Sequence, residues 1–157
     1  MVGFFGTVLE GLTLYVRQSA WLNTALKKPK GDTSEEPAKS RMQTRLDADE
    51  SYQPPLPEVA APHLLGYLFE IGPISLGGAM PSPITSQEIL AWQQLTRIAL
   101  TPWEARAIKR MSIDYLDQMH ASEAPDCKAP WMPADYVPDH SATAKSMQKA
   151  LEGLLKL

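Results

Sequence analysis

The chain reads as a mainly α protein. It is expected to hold a small three-helix bundle with an N-terminal amphipathic helix, a disordered charged linker, and a C-terminal helix after a Pro-rich segment. Three observations predict this. Two helix starts with near-complete punctuation stand sixteen residues apart. Apolar residues recur at three- and four-residue steps in several windows. Fourteen prolines in 157 residues cluster between those windows, as they do where a chain is partly folded and partly extended.

Residues 1–27 form the first unit. Phe5, Val8, Leu12, Tyr15, Val16 and Leu22 lie on one helical stripe, with Glu10, Arg17 and Gln18 largely off it. Such a helix docks on its own domain or on a partner subunit. A membrane-surface role is a third reading, which the scarcity of Lys and Arg on its polar face weighs against. Glu10, Arg17 and Gln18 also break the apolar run too early for a membrane span.

Residues 28–58 change character. Lys28, Lys30, Lys39, Arg41 and Arg45 alternate with Asp32, Glu35, Glu36, Asp47, Asp49 and Glu50, and Pro54, Pro55 and Pro57 close the stretch. So few apolar groups cannot offset the entropy of ordering. A mobile spacer is expected, with a transient helical turn near Arg41 to Asp47.

Residues 59–120 are the core module. Leu64, Leu65, Leu68, Phe69 and Ile71 supply its first helix, begun near Pro62 and ended by Gly72-Pro73. A loop with Gly77-Gly78 follows. Thr85 then caps the second helix with Glu88 reaching back to it, while Ile84 and Ile89 form a staple. Its inner face is expected to be Ile89, Trp92 and Leu95, with Leu90 at the edge. Thr101, Pro102 and Glu104 begin the third helix by the same code, with an inner stripe of Ala105, Ile108, Met111, Tyr115 and Met119. One-sided stripes on short connectors pack as a bundle.

Residues 121–140, punctuated by Pro125, Pro130, Pro133 and Pro138, are expected to wrap back over the bundle through Trp131 and Tyr136. Residues 141–157 regain helical period in Ala144, Met147, Leu151, Leu154 and Leu155. That stripe packs on the bundle or serves as an interaction surface.

No reactive constellation stands out. His63, His120 and His140 lie at no metal-binding spacing and beside no nucleophile. Cys127 is the single cysteine, so no internal disulfide forms and nothing suggests an oxidising compartment. Asp126, Cys127, Asp139 and His140 combine into a metal site only on paper, because short Cys/His spacing is missing. Glu88 and Glu104 are occupied as capping residues. The expected catalytic residues, metals and cofactors are therefore none. A formal charge of −3 without a basic patch argues against nucleic-acid binding.

The span Leu64–Leu116 resembles the tail assembly chaperones of long-tailed double-stranded DNA bacteriophages. The resemblance is carried by Leu68-Phe69-Glu70-Ile71, Gly77-Gly78 and Pro83-Ile84-Thr85. It continues in Glu88-Ile89-Leu90-Ala91-Trp92-Gln93-Gln94-Leu95-Thr96, Leu100-Thr101-Pro102-Trp103-Glu104 and Asp114-Tyr115-Leu116. The first helix departs from the family pattern, with Tyr67 and Phe69 where Trp is frequent. The N-terminal helix, the charged linker and the Pro-rich tail fall outside it.

The resemblance implies a non-enzymatic factor of the host cytoplasm that binds tape-measure and tail-tube protein and leaves before the virion matures. A homo-oligomer is compatible with it. Partner-binding candidates are Tyr67, Phe69, Trp92 and Trp103 on the module, with Leu151 and Leu154 on the terminal helix. The alternative is a minor tail or neck protein retained in the virion.

Overall fold

A computed structural model describes residues 3–135. Five helices follow in order among them: α1 (Phe4–Asn23), α2 (Arg41–Ala48), α3 (Pro62–Ile71), α4 (Ser86–Thr96) and α5 (Pro102–Ser122). The mainly α class and the small helical bundle are what the structure has. The terminal helix expected over 141–157, with Leu151 and Leu154, lies outside the described residues.

α1 and α5 form the axis of the fold. Phe5 meets Trp103 with ring centroids 5.2 Å apart, Arg17 Nε donates to Gln118 Oε1 at 3.2 Å, and the carbonyls of Trp21 and Ser122 converge on one guanidinium. Start meets start and end meets end, so the two helices run parallel. A parallel pair cannot be joined by a short turn, and the remaining elements are the connection. Val8, Leu12 and Val16 of α1 pack with Ile108 and Met111 of α5 and with Leu64, Leu65 and Leu68 of α3, all buried. The N-terminal helix is thus part of the core, and α3 closes it.

Local chemistry sets the helix ends. Thr85 Oγ1 accepts from the Glu88 N–H at 3.2 Å, and the Thr85 N–H donates to Glu88 Oε2 at 2.7 Å. Thr101 and Glu104 repeat the exchange at 3.3 and 2.7 Å. Both capping boxes are complete. α3 ends at Gly72, whose φ of 107° would strain any side chain. Between α3 and α4, Ser75 and Ser82 pair backbone to backbone, which projects Leu76 and Met80 into solvent. Buried Ser112 anchors this loop: its Oγ accepts from the Ile84 N–H at 2.9 Å and donates to the Pro73 carbonyl at 2.7 Å.

The 28–58 stretch differs from a spacer in its second half. Ser40 caps α2 by accepting from the Gln43 N–H, and Ala25 and Ser40 form an antiparallel bridge. Arg41 is the reason this polar helix is held. One of its guanidinium nitrogens donates to the Trp21 and Ser122 carbonyls at 3.2 and 2.8 Å. The other donates to the Ala124 and Pro125 carbonyls at 2.8 and 3.4 Å. The guanidinium also stacks on Trp21, 4.7 Å from the ring centroid. Further on, Pro57 is buried. A single long-range cluster of charged hydrogen bonds outweighs the poor apolar content that predicts mobility.

Trp131 meets α1 through its backbone N–H, which donates to the buried Gln18 Oε1 at 3.2 Å, while Tyr136 lies outside the described residues. In α4 the inner face is Ile89 and Trp92, while Leu95 is 86% exposed, a correction to its expected place in the core. The bundle lies on the side of residues 85, 89, 92 and 96, and Leu95 falls off that arc.

Two outcomes are expected. Arg41→Ala should lower unfolding stability by about 2–4 kcal/mol, because two helix-end carbonyls and two in the turn after α5 lose a charged donor together. Arg41→Lys should recover less than half of that in denaturant titrations, since an ammonium cannot span the fork. The second concerns pH. Glu88 is held below its ordinary carboxylate value chiefly by the Thr85 backbone N–H, then by the hydroxyls of Ser75 and Thr85. Glu104 is lowered chiefly by the Thr101 backbone N–H. A depressed carboxylate contributes its stability above the unfolded value of 4.5 and loses it as pH falls through the folded one. Glu88→Gln with Glu104→Gln should therefore flatten the acid limb of a thermal-melt series between about pH 6 and about pH 3.

Candidate functional site

The sequence-predicted anchors fall in three places. Tyr67 of α3 and Trp92 of α4 come together, ring centroids 4.9 Å apart, and His63 stands edge-on to Tyr67 at 5.7 Å. Phe69 points to another neighbour and meets Tyr115 at 6.3 Å. Trp103 lies against Phe5 and packs on the core. Leu151 and Leu154 are outside the described residues.

Trp92 is 7% exposed, so its ring holds α4 onto α3. Its indole N–H is buried without a hydrogen-bond partner among the described residues. The far end of α4 is held by its own side chains. Gln93 Oε1 accepts from the Leu100 N–H at 2.8 Å, and Thr96 Oγ1 donates to the Trp92 carbonyl at 2.9 Å. Arg97 then adopts a left-handed conformation, φ 62°, which reverses the chain into α5.

With Trp92 and Ile89 turned inward, the opposite face of α4 carries exposed apolar side chains beside the exposed Gln87 and Gln94. Leu90 is 54% and Leu95 86% exposed, and Ala91, one turn before Leu95, is exposed between them. In the preceding loop Leu76 is 72% and Met80 74% exposed. Sequence reasoning missed this face because Leu95 had been given to the core. The signal was present in the capping code: with Thr85 as cap and Ile84 and Ile89 as the staple, the buried arc is fixed, and Leu90, Ala91 and Leu95 fall outside it.

Reactive groups do not converge here. His63 Nε2 lies 3.6 Å from Glu104 Oε1 at the surface, beside a carboxylate already engaged in its capping box. Burial pushes the Tyr115 hydroxyl above its ordinary value, as for any phenol in a core. Among the described residues no group of three or more His, Cys, Asp or Glu is placed to hold a metal ion. None of the described helices is long and apolar enough to cross a membrane. What the surface offers is a set of exposed apolar side chains on α4 and the loop before it.

Neither a curated protein nor a solved structure matches the chain. A family model described as "Phage tail assembly chaperone" matches residues 40–117, about half of the sequence. The match begins at Ser40, the cap of α2, and ends within α5, so it includes the helix that Arg41 fastens to the axis as well as the two capped helices. The chain belongs to the phage tail assembly chaperone family.

Proposed function

We propose that this protein is a non-enzymatic chaperone of the host cytoplasm that binds tape-measure protein, tail-tube protein or both during tail assembly. The observation that carries the reading is the outer face of α4, with Leu90 and Leu95 exposed on a helix whose other side is buried. Family membership supplies the process, and the exposed side chains supply the means. A helical client segment lays its own apolar stripe against such a face, with anchors at helical spacing. Tyr67 and Trp92 contribute from beneath by fixing α4, while the exposed Leu76 and Met80 of the preceding loop offer further apolar contact.

The test separates contact from support. Leu90→Asp with Leu95→Asp should reduce capture of purified tape-measure protein at least tenfold, a loss of about 1.4 kcal/mol or more. The melting temperature should hardly move, because both side chains already face water. Trp92→Ala should instead cost about 3–5 kcal/mol of stability. Unchanged capture of tape-measure and tail-tube protein by the double Asp variant would defeat the reading. Purified virions should lack this chain in mass spectra, since a chaperone departs before maturation and a structural component stays.

A further inference from the structure

We infer that a small recess at the C-terminal end of the α1–α5 pair seats one aliphatic side chain of another polypeptide, whose neighbouring carboxylate pairs with Arg45. The recess lies between Trp21 and Leu22 of α1, Arg45 of α2, Tyr52 in the segment that follows, and Trp131 and Met132. None of its walls comes from α4, so the inference does not rest on the proposed function.

Size selects the side chain. The recess has a volume of about 50 Å³. One water needs roughly 10–15 Å³, and a cavity of about 150 Å³ takes a benzene ring. The space is too roomy for a single water and too small for an aromatic ring, and it suits the branch of a Leu or the end of a Met. The walls are held in place. The Trp21 indole N–H donates to the Cys127 carbonyl at 2.8 Å, Arg41 stacks on the Trp21 ring, and the Trp131 N–H is bound to Gln18. Trp, Tyr and Arg around one recess are the residue types that dominate binding energy at protein interfaces.

Charge selects the neighbour. The half-buried Arg45 places its guanidinium 5.8 Å from the Tyr52 ring centroid, and among the described residues it has no ion-pair partner. The carboxylate four residues on would be its ordinary helical partner. That residue is Asp49, which ends α2 in extended backbone, and its Oδ1 accepts instead from the Ser51 N–H and hydroxyl at 2.9 and 2.6 Å. A guanidinium fork is thus left beside an apolar recess, and a carboxylate matches it with two parallel hydrogen bonds. An aliphatic residue with an acidic neighbour meets both requirements at once.

The test titrates the isotope-labelled full chain with a blocked peptide, Gly-Ser-Glu-Leu-Glu-Ser-Gly, and follows the four tryptophan indole N–H resonances. Saturable shifts of the Trp21 and Trp131 indoles, with Trp92 and Trp103 unmoved, are the expected result. Exchanging the peptide's Leu for Ala, or both Glu for Gln, should weaken binding about fivefold or more. Arg45→Gln should bring the Glu peptide down to the affinity of the Gln peptide and leave the Gln peptide's affinity as it was. No shift at Trp21 or Trp131, as when another part of this chain already fills the recess, overturns the inference. Shifts at Trp92 or Trp103 in their place put the peptide on another face and overturn it as well. Equal affinity for the Glu and Gln peptides overturns the pairing with Arg45. Shifts of the Trp21 and Trp131 indoles on concentrating the protein alone assign the recess to a second copy and overturn the stated occupant.

Discussion

The parallel pairing of α1 and α5 is the constraint around which the fold is organised, and Arg41 is what makes it tenable. Parallel helices place like ends of their dipoles together, and each leaves its last carbonyls without intrahelical partners. Here such carbonyls converge at one end, from Trp21 of α1 and Ser122 of α5, joined by those of Ala124 and Pro125 in the turn that follows. A guanidinium brings several fixed donors and a charge of the right sign to all of them. Burial pulls Arg41 below its ordinary value, yet a guanidinium remains charged under these conditions. Lys27 reinforces the same corner, its backbone N–H donating to the Glu123 carbonyl at 2.8 Å and its ammonium to the Glu123 carboxylate at 2.7 Å.

What was legible in the sequence is what depends on neighbours in the sequence. The capping boxes of Thr85 and Thr101, the break at Gly72 and the amphipathic stripe of α1 are local, and each stands where the residues put it. What was hidden depends on partners far along the chain. Arg41 reads as one more charge in a polar run until Ser122, eighty-one residues away, is brought beside it. Leu95 reads as core by spacing alone, because spacing gives a face and no direction for it.

Gln18, Ser112, Gln118 and Ser122 were equally hidden, since buried polar side chains leave no periodic trace. Gln18, Gln118 and Ser112 are each satisfied by a remote group, and Ser122 Oγ accepts from Gln118 one turn back. Gln118 accepts from Arg17 and donates to Ser122 Oγ and toward Cys127 Sγ. Ser112 ties two points of the α3–α4 loop to α5. Leaving any of these unpaired would cost more than the bond contributes. They therefore select one register of helices and loops over others that bury similar apolar area.

The same asymmetry explains where function is expected to sit. The axis of α1, α5 and α3 holds nearly all the buried apolar side chains, whereas α4 is attached through Ile89, Trp92 and its tight ends. A helix held on one side by an aromatic pair and free on the other can give its outer face to a client without disturbing the core. Local stability is lowest where few apolar contacts are made, and binding elements are drawn from that end of the range. The Trp92 indole N–H is buried without a partner among the described residues, so the ring holds α4 by packing alone there.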